Sequence, residues 1–215
     1  MPPTSPPLTR ADANSPAPAD AQDSGELPPH ERILLAARDL FCRNGIHATG
    51  IDRILQEASA SKMTLYSRFG SKEALLREVL VLEGAEWRAA FFGAVEAASP
   101  DPAGQLHAVI PALRTWFTGE RFYGCAFMNA AAEHAKGRDA GTPWLREMTQ
   151  AHHGAILAFL AGLAEAAGYP EPGILARQVL LVMDGAIAAM MVGGDPAVLE
   201  ISARTLRAVL AQPGA

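Results

Sequence analysis

Residues Thr49 to Leu76 read TGIDRILQEASASKMTLYSRFGSKEALL, and this stretch decides the fold. Apolar residues return at helical spacing in two short runs: Ile51, Ile54, Leu55 and Ala58, then Leu65 and Phe69. Only Ser59-Ala60-Ser61 separates the runs, which is room for a tight turn. Thr49 is placed to cap the first run, with Asp52 three residues on as in a capping box. The second run spans about Lys62–Phe69, and Ser71 then caps a long helix whose buried side includes Leu76, Leu80, Trp87 and Phe91. Upstream, Ile33, Ala37, Leu40 and Phe41 form another stripe, stopped by Gly45. Three helices, the last two short and tightly joined, have the outline of a helix-turn-helix. Such a unit lays one helix across phosphates and inserts the next into the major groove. The groove helix needs an apolar inner face, here Leu65 and Phe69. Lys62, Met63, Thr64, Tyr66, Ser67 and Arg68 are left facing outward or flanking.

The pattern Ser-Lys-x-Thr-Leu-Tyr-x-x-Phe-x-Ser-Lys-Glu runs from Ser61 to Glu73, with Met63, Ser67, Arg68 and Gly70 at its variable places. On these residues the segment resembles the DNA-binding domain of the TetR family of bacterial transcriptional regulators. The resemblance implies roles for individual side chains. Lys62, Thr64 and Arg68 become candidates for base edges, and Met63 for thymine methyl groups. Tyr66 and Thr49 are candidates for phosphate. So are Ser71 and Lys72, at a helix start where N–H groups favour an anion. One departure stands out: Ser59 occupies a turn position where the family usually has glycine, and serine adopts a positive φ only at a cost.

The rest of the chain reads as helices and essentially no strands, at about 103–118 (with Pro111 inside and so a kink), 124–136, 142–167, 173–192 and 196–211. Asp195 is placed to cap the last of these, with Pro196 at its first position. The fold class is therefore all-α. It divides into a tail at 1–29, a helix-turn-helix domain at 30–76 and an effector-binding and dimerisation domain at 77–215. The tail holds eight of the sixteen prolines and only Arg10 against Asp12, Asp20, Asp23 and Glu26, a composition expected to be disordered. The net charge of −5 excludes a polybasic DNA coat. Residues 28–82 nonetheless hold eight Lys and Arg against six acids, and residues 83–215 hold nine against thirteen. The sign changes where DNA would lie. No secretory signal or membrane span is expected, because residues 1–26 lack an apolar run and Asp184 interrupts the long apolar stretch near the C-terminus. Two cysteines fit a reducing cytoplasm.

A single helix-turn-helix contacts little DNA, so the reading calls for a homodimer on a palindromic double-stranded operator. By the resemblance, the last two helices form the dimer interface. Residues 179–192, VLLVMDGAIAAMMV, are apolar nearly all round, and Leu199, Leu206, Val209 and Leu210 make a narrower stripe. The middle helices then enclose a chamber for a small apolar or amphipathic effector. Trp87, Phe91, Trp116, Phe122, Phe127, Met128, Phe159 and Met183 are available to line it. Asp184, amid apolar residues, needs a partner such as His or Arg, or a polar group of the ligand. No metal or other cofactor is expected, since His134, His152, His153 and Asp184 lack a ligand spacing and adjacent histidines point about 100° apart around a helix. No catalytic arrangement stands out. The expected function is thus a ligand-released repressor. The alternatives are a helical small-molecule carrier and a regulator sensing electrophiles through Cys125, which a helix N-terminus would activate.

Overall fold

The computed structural model describes residues 27–136 and 143–211, without the side chains of 135 and 136. Among the described residues it is all-α: α1 (Pro29–Asn44), α2 (Ile51–Glu57), α3 (Lys62–Phe69), α4 (Lys72–Ala98), α5 (Pro102–Ala112), α6 (Arg114–Phe117), α7 (Ala126–Lys136), α8 (Pro143–Ala166), α9 (Pro172–Gly193) and α10 (Ala197–Leu210). The proline-rich tail lies, up to residue 26, outside the described residues.

Local chemistry explains most of the helix ends. Ser61 accepts from Thr64 N–H at the start of α3, and Ser71 from Ala74 N–H at the start of α4. Gly45 ends α1 at φ 87°, its N–H donating to Phe41 C=O. Pro111 splits the helix expected at 103–118: α5 ends at Ala112, and the short α6 follows. Two expected caps differ. Thr49 does not cap α2, because Gly50 holds that position without a side-chain bond. Asp52 accordingly makes no capping box and pairs with Lys62 at 2.8 Å. Asp195 does accept from Ala197 N–H at 2.8 Å, but Pro196 stands one residue ahead of α10.

The turn before α3 carries the strain that the family resemblance implies, with Ser59 at φ 45°. Arg32 of α1 holds that turn by donating to Ala58 C=O at 2.9 Å and Ser59 C=O at 3.1 Å. Replacing Ser59 by glycine is expected to stabilise the fold by about 0.5–1 kcal/mol, since the left-handed conformation costs an L-residue more than glycine. Urea unfolding checks this: the midpoint should rise at unchanged slope, and a lower midpoint would refute the strain.

Two apolar clusters build the interior. One gathers Ile33, Leu40, Ile54, Leu65, Phe69, Leu75 and Leu80 from α1–α4, joined by Phe127 and Ala130 of α7 and Leu145 of α8. The other gathers Phe91, Val95, Leu106, Ile110, Leu160, Val179 and Met183 with the inner side of α10. Each fully buried Leu or Ile contributes about 1.5–3 kcal/mol. The long α4 belongs to both clusters, its first half to one and its second half to the other. It is one continuous helix joining them. Helix α9 is long and apolar enough to cross a bilayer by length and composition. It packs within the bundle on α8 and α10.

Candidate nucleic-acid interface and effector chamber

Helix α3 is divided as its sequence demands. Leu65 is 0% exposed and Phe69 6%, against the first cluster, while Met63 is 80% and Tyr66 49% exposed. Lys62, Ser67 and Arg68 lie on the outer surface and Thr64 at its margin. Several of these side chains have partners within the chain. Ser67 donates to Thr64 C=O, and the Ser61 and Thr64 hydroxyls meet at 2.9 Å. Arg68 forks onto Glu78 of α4 at 2.8 and 3.1 Å, over the Phe69 ring. Both charged partners are half-exposed, so this pair is worth at most about 1 kcal/mol, and Arg68 can leave it for a base at little cost. Arg53 on α2, next to the Asp52 that pairs with Lys62, is also exposed and was not among the expected contacts.

Two of the expected phosphate contacts have hydrogen-bond partners inside the chain. Thr49 is buried, and its hydroxyl donates to Leu40 C=O and Gly45 C=O, so it has nothing to offer DNA in this conformation. Lys72 donates to Ile46 C=O at 2.6 Å and lies over the Phe41 ring. Burial pulls its ammonium below the usual lysine value, partly offset by Glu133. One of its three N–H donors thus serves the α1–α2 loop. Ser71 stays exposed at the rim.

Glu133 of α7, unremarked in the sequence, grips that loop from the other side. Its carboxylate accepts from Ile46 N–H at 2.9 and 3.0 Å and from His47 N–H at 3.0 Å. A Cβ at Gly45 would stand 3.0 Å from its Oε1, so the glycine serves both the turn and this contact. Peptide groups of residues 46–47 are thus held by Lys72 and Glu133 together.

Behind the helix-turn-helix lies a cavity of about 460 Å³. Trp87, Phe91 and Trp116 form part of its wall, with Arg38, Glu83 and Glu86. Trp87 stacks on Phe91 at 4.8 Å and meets Trp116 edge-on at 5.4 Å. A smaller adjoining cavity has Phe127, Cys125, His152 and Asp184 on its wall, again with Trp87. The other expected lining residues lie off the walls of these two cavities. Phe122 backs Trp116 edge-on, Phe159 stacks on Phe92 at 4.1 Å, Met183 is 1% exposed in the core, and Met128 packs against that core. Spacing marks such residues as inward-facing, but only the fold separates wall from filling.

Asp184 does find a histidine, His153 Nε2 at 3.8 Å, although burial holds its carboxyl above the usual value. Burial pushes the Cys125 thiol up, outweighing the N–H groups of Phe127 and Met128 at the helix start. Cys42 is likewise pushed up to about 12 by burial. In this structure burial thus opposes thiolate formation at both cysteines, against the activation expected for Cys125 from the helix N-terminus. No cluster of three metal-ligating side chains occurs among the described residues.

His152 is 5% exposed, stacked on Phe127 at 4.1 Å, with Nδ1 2.9 Å from Arg88 Nη1. Burial, and then the Arg88 charge, lower its pKa to about 4 from 6.5. The unfolded chain therefore takes up this proton first as pH falls. The stability tied to neutral His152 is complete above pH 6.5 and is lost as pH drops towards 4. Between pH 6.5 and 5 the loss should be about 1–2 kcal/mol. Urea unfolding of wild type and His152→Gln at both pH values tests this, and equal pH dependence of the two proteins would refute it.

Comparison with known proteins accords with this geometry. Residues 33–79 match the family model described as bacterial regulatory proteins, tetR family. The HTH-type transcriptional regulator UidR of Escherichia coli (strain K12) is 37% identical over 62 residues, 29% of this chain and 32% of that protein. The HTH-type transcriptional activator FasR of Mycolicibacterium smegmatis is 44% identical over 57 residues, 25% of this chain and 26% of that one. The chain thus spans about a third or less of the length of these curated relatives. A wider match is the crystal structure of SCO4454, a TetR-family transcriptional regulator from Streptomyces coelicolor. It is 30% identical with a TM-score of 0.76, over 85% of this chain and 94% of that one. A relative at this identity, covered almost end to end, extends the likeness beyond the helix-turn-helix, and the chain belongs to the TetR family of DNA-binding bacterial transcriptional regulators.

Proposed function

We propose that the protein is a homodimeric repressor acting in the cytoplasm, which binds a palindromic operator and is released by a small apolar or amphipathic effector. Residues 30–76 serve as the DNA-binding unit and 77–215 as the effector and dimerisation unit. Lys62, Met63, Thr64 and Arg68 address the bases, while Tyr66, Ser67, Ser71 and Arg53 address the backbone. The observation that carries the reading is the course of α4. Its first turn, with Ser71 as cap, packs beside α3, and Glu83, Trp87 and Phe91 further along the same helix are on the cavity wall. An effector that moves those side chains tilts a rod whose far end positions the recognition helix. Half-sites lie about 34–36 Å apart or at further turns of the duplex, so a small tilt spoils simultaneous docking. Coupling of about 1–3 kcal/mol corresponds to roughly 5–150-fold weaker binding when liganded. The chain needs no catalytic step to do this.

Selection from random duplex DNA, followed by footprinting of the upstream region, tests the reading. Enrichment of a palindrome protected by two subunits supports it. Only salt-sensitive binding of equal strength on all sequences would sink it. A reporter driven from the recovered site separates repression from the activation named for FasR.

A further inference from the structure

The larger cavity holds a charge arrangement that bears on the kind of effector. Glu83 and Glu86 are neighbours at i and i+3 on α4, and both are on the wall. Arg38 of α1 enters the same space, its Nε donating to Glu83 and its Nη2 to Glu86. Its side chain is only 14% exposed. Arg121, the other wall cation, lies 3.7 Å from Asp39 of α1. Next to the carboxylates stand the Trp87, Phe91 and Trp116 rings.

Resting on the proposed role of this cavity as the effector chamber, we propose that it takes an organic cation with a bulky apolar or aromatic body, whose charge replaces Arg38 on Glu83 and Glu86. Ring faces attract a cation and repel an anion. An anion could recruit Arg38 only by stripping it from two carboxylates, leaving them unpaired beside each other and beside the new negative charge. A cation displaces only Arg38, whose long stem can carry the guanidinium outward to water. The exchange leaves both carboxylates paired. It also undoes an ion pair that ties α1, part of the DNA-binding unit, to α4. The effector's charge thereby reaches the helix-turn-helix without passing through the apolar core.

The test uses the full chain with tetraphenylphosphonium and tetraphenylborate, ions of matching shape and opposite charge. Trp87 and Trp116 report entry by fluorescence quenching. Saturable quenching by the phosphonium is expected, at least about tenfold tighter than by the borate. The Glu83→Gln, Glu86→Gln double variant should abolish that preference. Arg38→Gln should tighten phosphonium binding severalfold, because the internal competitor is gone. Circular dichroism checks that each variant folds, and the two probes on the wild-type protein decide the matter even where one does not. Equal or tighter borate binding, no saturable binding of either ion, or an unchanged preference in the double variant overturns the proposal. Operator release by the borate alone would overturn it while upholding the chamber reading. Tight phosphonium binding without operator release would uphold the ligand class and count against effector control.

Discussion

Leu181→Asp is expected to give a folded monomer whose operator affinity falls at least about a hundredfold. The proposed dimer rests on α9 and α10, and the monomer leaves one side of α9 uncovered. Leu181 is 73% and Val192 92% exposed, with Ile174 at the start of the same helix and Ile201 on α10 also exposed. Positions 174, 181, 185, 188 and 192 repeat at alternating helical steps, which places them on one stripe. Glycine at 185 and alanine at 188 keep the middle of that stripe low, so a second helix can approach closely. An aspartate there would have to be buried without a partner, at a cost of several kcal/mol, once from each subunit. Each monomer then docks a single half-site, and the contacts of the other half are lost. Sedimentation velocity reads the subunit number, circular dichroism the fold, and a gel shift the affinity. Leu181→Asp that remains dimeric with full operator binding would place the interface elsewhere.

A second large effect is expected at Arg68. Its guanidinium is planar, exposed and paired with Glu78 over the Phe69 ring, and a bidentate contact to guanine suits it. Arg68→Ala should lose about 1–3 kcal/mol at each half-site, and the loss should fall on sequence preference more than on general affinity. Glu78→Ala should move the other way, because it frees the guanidinium from its resting partner. The measurement is operator binding against random competitor DNA over a salt series. If Arg68→Ala keeps its selectivity and merely flattens the salt dependence, the residue contacts phosphate and not bases.

The two variants also separate what was readable in the chain from what was not. The face carrying Arg68 follows from spacing, since Leu65 and Phe69 four residues apart must point inward together. The resting partner of Arg68 does not follow from spacing, because Glu78 sits on another helix across a bend. Thr49 and Lys72 show the same limit more sharply. Their residue types and positions suit phosphate, yet the fold supplies each with a nearer acceptor: Leu40 and Gly45 carbonyls for one, the Ile46 carbonyl for the other. A side chain's preference for hydrogen bonding is intrinsic. Its choice of partner is made by whatever the tertiary structure brings within hydrogen-bonding reach. The chamber divides likewise. All eight expected lining residues turn inward at least in part, but the wall belongs to Trp87, Phe91, Trp116 and Phe127, while Met183 and Phe159 fill space.

By itself the sequence determined most of the helices, the Ser71 cap, a disturbance at Pro111 and the inner face of α3. Each of these depends on atoms within about four residues along the chain, where covalent geometry already limits the partners. The tertiary structure alone decided that Glu133 grips the loop before α2 from 87 positions away, that Arg38 joins two carboxylates on α4 from 45 and 48 positions away, and that an open cavity remains between them and the tryptophans. Those contacts form only after the helices have packed. Their geometry is set by the sum of many apolar contacts, and no local pattern in the chain encodes it.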